Sequence, residues 1–153
     1  MRPDVRISRS PEETRTLAAR LGQRLAPGDV VALKGELGSG KTEFVHGLAQ
    51  GLSVPPDLVA SPSFILAHEY PGRLKLVHLD LYRLEDLPPD LLPDLEEYFS
   101  GAGAVAVEWA ERVAPLLPRE YLEVILEITG EGRRTLTFIG HGKRGRELAR
   151  SLE

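Results

Sequence analysis

The chain has 153 residues, of which 42% are hydrophobic and 27% charged, and its formal net charge is −4. This length predicts one domain, spanning residues 1–153, with a substantial core, and the composition excludes a disordered chain. The acidic balance argues against a general nucleic-acid coat, and the absence of cysteine excludes disulfides, thiol nucleophiles and cysteine-held metals.

The start, MRPDVRIS, lacks the apolar run of a signal peptide, and no window approaches the ~20 apolar residues of a membrane span, so a cytoplasmic protein is expected. Residues 4–8, DVRIS, alternate like a short strand. SPEETRTLAARLGQRL, 10–25, reads as a helix. Ser10 is its N-cap, Pro11 suits the first helical position, and Glu13 completes a capping box. Leu17, Leu21 and Leu25 give it one apolar face, and Pro27 and Gly28 are expected to end it. VVAL, 30–33, is a β-branched run fit for a buried parallel strand. A helix over about 41–50 then stops at Gly51. SFILAHEY and RLKLVHLDLYR are strand-like runs on either side of Pro71 and Gly72, which predicts antiparallel neighbours. A helix is predicted from about Asp90 to Tyr98, and AVAVEWA, 104–110, as a buried strand. Pro115 and Pro118 break the chain. YLEVILEITG and RRTLTFIG form a hairpin with Gly-Glu-Gly as the turn. The closing stretch, HGKRGRELAR, is a local basic cluster, read as a solvated helix, with contact to RNA as the other reading.

One segment carries a specific chemistry. In GELGSGKTEF, 35–44, Gly35, Gly40, Lys41 and Thr42 fit G-x-x-x-x-G-K-[ST] without mismatch. An apolar strand precedes the loop and a helix begins inside it. The glycines let backbone N–H groups close around phosphate oxygens, so Glu36, Leu37, Gly38, Ser39, Gly40, Lys41, Thr42 and Glu43 are the predicted nucleotide-binding stretch. Lys41 can reach the β- and γ-phosphates, and the Thr42 hydroxyl can ligate Mg²⁺. The fold class predicted is α/β: a single P-loop NTPase domain, three-layered, with a mixed parallel and antiparallel sheet.

Two acids end strands on which a phosphate site would draw. Asp80 closes LVHLD, where a Walker B carboxylate sits to hold Mg²⁺, although a plain surface acid fits the same place. Glu108 closes AVAVE. Ligands collect at the carboxyl ends of strands in open α/β sheets, so Glu108 is placed to orient water or touch the metal, with a structural ion pair as the alternative. Trp109 is either core packing or a platform at the site edge. Arg83 either pairs with an acid or approaches phosphate. His78 lies two residues before Asp80, so both share one strand face and His78 can support the acid from behind. None of His46, His68, His78 and His141 has metal-ligand spacing. The chain has no asparagine and no guanine-reading [NT]-K-x-D, so adenine is the expected base.

Together the P-loop, SPSF at 61–64, HLDLYRL at 78–84 and VEWAE at 107–111 closely resemble the TsaE (YjeE) family across roughly residues 10–140. The resemblance implies an ATPase needed for threonylcarbamoyladenosine formation in tRNA, working with two proteins, TsaD and TsaB. It implies that Lys41 and Thr42 hold phosphates and Mg²⁺, that Ser61, Pro62, Ser63 and Phe64 form a switch-like element, that Asp80 belongs to the magnesium shell, that Glu108 is needed for hydrolysis, and that Trp109 sits beside the nucleotide. Ser63 departs from the family's usual Thr and keeps the hydroxyl. Glu43 stands where many members have Thr or Ser, and its charge is expected to point outward.

ATP and Mg²⁺ are thus the expected substrate and ion, Lys41, Asp80 and Glu108 the expected catalytic residues, and Thr42, Asp80 and Glu108 the expected metal ligands. The rival readings are a small-molecule kinase, a non-catalytic ATP-dependent binding module, and a protein that contacts tRNA directly. The kinase would need a lid, and the proline-rich 86–94 segment carries acids where a kinase lid carries arginines.

Overall fold

The computed structural model describes residues 4–36, 38–59, 67–81 and 89–152. Seven strands form one sheet in the order β1-β7-β6-β2-β5-β4-β3. They are β1 (Asp4–Ser8), β2 (Val30–Lys34), β3 (Ala67–Tyr70), β4 (Leu76–Asp80), β5 (Ala104–Glu108), β6 (Tyr121–Gly130) and β7 (Arg133–His141). The helices are α1 (Pro11–Gly22), α2 (Lys41–Gly51), α3 (Leu92–Ser100) and α4 (Gly142–Arg150). β2 pairs in parallel with both β5 and β6, and β4 in parallel with β5. β3–β4, β6–β7 and β1–β7 are antiparallel. The mixed α/β sheet expected from the sequence is therefore present.

Alternation along the strands splits the core in two. Leu76, Ala104, Ala106, Leu122, Val124, Leu126, Leu136 and Phe138 face a layer made of α1, α2 and α4. Val77, Leu79, Val105 and Val107 face the opposite way, against Leu95 of α3 and Val113 of the 3₁₀ segment Ala110–Leu116. That 3₁₀ segment is kinked at Val113, where φ is −126°, Pro115 lies in its second part, and Pro118 falls in the break that follows it.

Two expectations need correction. The first helix ends at Gly22, five residues before Pro27. Its end is set by tertiary contacts. Arg73 Nη2 donates to the carbonyls of Gly22 at 3.0 Å and of the C-cap Gln23 at 3.5 Å, which answers two of the orphaned C-terminal acceptors. Glycines also let α1 and α2 touch backbone to backbone: a Cβ on Gly22 would lie 2.5 Å from Leu48 O. At the other end Ser10 caps α1 by accepting from Glu13 N at 3.0 Å, but the Glu13 carboxylate accepts from the Arg9 N–H, one residue before the cap. The second correction concerns the basic tail. α4 is docked, with Leu148 1% exposed and Arg144 joined to the buried Asp29. Its apolar side completes the α1–α2 layer, which a reading of its charges alone missed.

Candidate functional site

β2 enters the glycine loop at Lys34 and α2 leaves it at Lys41. Gly35, Gly38 and Gly40 have φ of 155°, 81° and 105°. A Cβ at Gly35 would lie 2.5 Å from Ser39 Oγ and 2.6 Å from Leu126 O, so no side chain fits there. At Gly38 the same position meets nothing within 4 Å, and the loop faces open space. Such glycine-rich turns present successive N–H groups to one side, the form of an anion nest. Glu36 is exposed and its carbonyl accepts from Ser39 N at 3.1 Å. Ser39 is fully buried, and its Oγ has no hydrogen-bond partner. Leu37 lies outside the described residues, as do Ser61–Phe64 and Arg83.

Lys41, at the first position of α2, is 6% exposed. Its ammonium donates to Gly35 O at 2.7 Å, stands 3.9 Å from Glu108 Oε1, and lies 4.7 Å from the centre of the Trp109 ring. Thr42 follows it and is half-buried. The Glu43 carboxylate is taken up by Arg15 of α1 in an ion pair.

The acids arrive from the sheet. Asp80 and Glu108 are register partners at the ends of the parallel pair β4 and β5. Because parallel strands keep their side chains in step, both acids share the face that carries α2. Directly after Glu108 the backbone turns left-handed: Trp109 has φ 62° and ψ 42°. That conformation is costly for a bulky residue and ends β5, leaving the indole beneath the Lys41 ammonium in a cation–π contact. A cavity of about 240 Å³ opens beside it, lined by Leu33, Lys34, Gly35, Lys41, Trp109 and Glu111.

Glu108 is 4% exposed, and its other oxygen lies 2.6 Å from His78 Nε2. His68, across the strand pair from His78, has its ring centre 6.5 Å away. Burial, then the neighbouring His78, pulls the His68 imidazole below its ordinary pKa against a smaller upward pull from Asp80.

The loop, Lys41, Glu108 and Trp109 thus come into contact, with Asp80 beside Glu108 and Thr42 beside Lys41. Sequence reasoning missed two arginines. Arg134 of β7 donates to Gly38 O at 3.1 Å, and Arg112 lies over the Trp109 ring at 5.5 Å. Arg134 is 96 positions from Gly38 in the chain, so no local motif signals it. It also missed Glu111 as a wall of the cavity, although VEWAE contains it. Among the described residues no three His, Cys, Asp or Glu side chains gather as a metal site. The oxygens of Thr42, Asp80 and Glu108 are hard ligands of the type Mg²⁺ takes together with water and phosphate. Among the described residues, too, no helix is long and apolar enough to cross a membrane.

The model of the family described as "Threonylcarbamoyl adenosine biosynthesis protein TsaE" matches residues 8–136. The tRNA threonylcarbamoyladenosine biosynthesis protein TsaE of Bacillus subtilis is 42% identical over 144 residues, covering 94% of this chain and 89% of that protein. The protein of the same name from Nostoc is 46% identical over 129 residues, covering 80% and 77%. The crystal structure of Bacillus subtilis YdiB superposes with a TM-score of 0.82 at 35% identity, covering 99% of this chain and 94% of that one. The chain belongs to the TsaE family.

Proposed function

We propose that this chain hydrolyses ATP, with Mg²⁺, in support of N6-threonylcarbamoyladenosine formation in tRNA, by acting on a TsaD–TsaB complex in the cytoplasm. The observation that carries the reading is the convergence of Lys41 and Glu108. A nearly buried ammonium and a nearly buried carboxylate stand 3.9 Å apart at the mouth of a glycine loop. The loop suits phosphate: Ser39 Oγ is buried and unpartnered, and nothing stands where a Gly38 side chain would be.

In this reading the loop amides and Lys41 bind the β- and γ-phosphates, with Lys41 leaving the Gly35 carbonyl to do so. Bound Mg²⁺ supplies neutralisation of charge developing between those phosphates. Thr42 and Asp80 would hold that ion, Glu108 would orient the attacking water, and Trp109 would form a wall that limits bulk water. Positioning and electrostatics carry such reactions. Two arginines lie at the margin, Arg134 bonded to Gly38 O and Arg112 over the Trp109 ring with its Nη1 unpaired, and neither is assigned as a finger on the γ-phosphate. A supplied arginine is worth ~10³–10⁵ in rate for related enzymes, so slow turnover alone and faster turnover with partners is expected. The pathway assignment is supported by the names of the relatives.

The test is phosphate release from ATP by the chain alone and with TsaD–TsaB. Lys41→Ala is expected to cut turnover by ~10²–10³ or more. Normal turnover in that variant overturns the reading. No release by the wild type in either condition favours a non-catalytic ATP-binding module.

A further inference from the structure

We propose that His78 is a positioning residue for Glu108. Its imidazole holds one carboxylate oxygen so that the other faces Lys41 and the phosphate loop. The proposal rests on the ATP-hydrolysis reading given above and adds a residue that acts through Glu108.

The strand register builds this contact. His78 is opposite Ala106, and Glu108 is two residues further along the same face of β5. Ala104 and Ala106 are fully buried and small, so the layer between sheet and α2 has room for an imidazole where larger side chains would fill it. His78 itself is 1% exposed, in a strand whose neighbours Leu76, Val77 and Leu79 are all buried. A buried polar ring in such a strand is costly unless its nitrogens are bonded. Here one nitrogen is bonded: Nε2 meets Glu108 Oε2 at 2.6 Å, while Nδ1 is buried without a partner. A histidine kept for packing alone would be replaced at no loss by Leu or Val, and one kept for polar satisfaction would have both nitrogens paired. The one bond His78 makes goes to Glu108.

The tautomer follows from the contact: a carboxylate oxygen accepts, so Nε2, 2.6 Å from Glu108 Oε2, is the nitrogen that donates. Nδ1 is then a bare acceptor, less costly to leave alone in the interior than an unpaired N–H.

The carboxylate is consequently divided. Oε2 is committed to His78. Oε1 points toward Lys41 at 3.9 Å, too long for a hydrogen bond, and Lys41 donates to Gly35 O in its place. In this reading the imidazole fixes the rotation of the Glu108 carboxylate. Catalytic groups held by a supporting hydrogen bond lose rate when that support is removed, by about 10–100-fold where it has been measured at metal sites.

The experiment uses His78→Ala, His78→Gln and Glu108→Ala, singly and with His78→Ala combined with Glu108→Ala. Three readouts are taken. Phosphate release is measured alone and with TsaD–TsaB. ATP affinity is read from Trp109, the chain's only tryptophan. The His78 imidazole N–H is observed by NMR of histidine-labelled protein without nucleotide. The expected results are a 10–100-fold drop in turnover for His78→Ala with ATP affinity changed less than about threefold, and partial recovery in His78→Gln, whose amide N–H also donates. Adding His78→Ala to Glu108→Ala should lower turnover no further, and the strongly downfield imidazole N–H should vanish in Glu108→Ala. Wild-type turnover in a folded His78→Ala overturns the proposal alone. So does an equal loss of affinity and turnover, or a His78 effect that persists without Glu108. If His78→Ala does not fold, His78→Gln and the imidazole signal decide. A wild type that releases no phosphate in any condition overturns the hydrolysis reading and this proposal with it.

Discussion

The two halves of the sheet are built differently. β2, β5 and β4 run parallel, so their carboxyl ends lie along one edge. That edge gathers Lys34 and the loop, Glu108 and Asp80 within two strand spacings. β6, β7 and β1 alternate in direction, and their ends fall on both edges. The antiparallel half therefore contributes no cluster of acids to the site. It contributes shape: Leu126 O limits Gly35, and Arg134 holds Gly38 O. The difference teaches that the parallel half supplies the side chains of the proposed site while the antiparallel half buttresses the loop beside them.

Gly35→Ala strikes the seam of the two halves and should have the largest effect. The added Cβ meets Ser39 Oγ at 2.5 Å and Leu126 O at 2.6 Å, on a backbone with φ of 155°. Leu126 O belongs to a paired strand and cannot retreat without disturbing the β6–β7 ladder. Urea unfolding should show a loss of about 2–4 kcal/mol, and ATP affinity should fall more than tenfold. A variant that loses affinity but not stability would show that the loop adjusts without β6, and the buttress would lose its meaning.

Arg144→Ala should separate the halves. Arg144 of α4 reaches Asp29 through Nε at 2.9 Å and Nη2 at 2.7 Å, at the end of β2 remote from the loop. Asp29 is 5% exposed, and after the substitution its carboxylate keeps only the Ala26 N–H at 2.8 Å. Removing one partner of a buried pair costs about 3–5 kcal/mol, and Arg144, one-third exposed, brings this to about 2–3 kcal/mol. ATP affinity should stay within about twofold, measured beside the melting curve. Arg144→Lys should recover little, because the contact is a two-pronged one. A large loss of affinity would mean that the far end of β2 is coupled to the loop.

How much of this was legible follows the range of each contact. The glycine loop and Lys41 could be read because the motif is contiguous and its strand and helix flank it directly. Asp80 and Glu108 could be placed at strand ends from alternation alone. Their pairing in one register depends on β4 and β5 being parallel neighbours, which no local pattern states. The β6–β7 hairpin was readable from its Gly-Glu-Gly turn, but the parallel pairing of β6 with β2 was not. The end of α1, set by Arg73, and the docking of α4, set by Asp29, are settled by partners about 50 and 115 positions away, as the hydrogen bonds record. The left-handed turn at Trp109 also escaped, since a tryptophan gives no sign that its backbone is strained.

The smallest expected effect lies on the antiparallel half just behind the loop. Glu123 of β6 accepts from Lys34 at 2.7 Å and lies 2.8 Å from His141 Nε2. Burial by itself pushes its carboxyl up, but the hydrogen bonds from Lys34 and His141 together outweigh it and hold the carboxyl below its ordinary 4.5. A depressed carboxyl stabilises the fold above its unfolded value, and that contribution disappears as pH falls through the folded one. Unfolding free energy should therefore be flat in this group above about pH 4.5 and decline below it. Glu123→Gln should cost about 1 kcal/mol at pH 7, a modest figure because Lys34 is nearly half exposed. The gap between wild type and variant should narrow as the pH is lowered through 4.5 and the lower folded-state value, beneath which both carry a neutral group. Since Lys34 directly precedes Gly35, ATP affinity is the second readout. An unchanged affinity assigns the network to the buttress, whereas a loss larger than the stability change would place Glu123 with the reactive half.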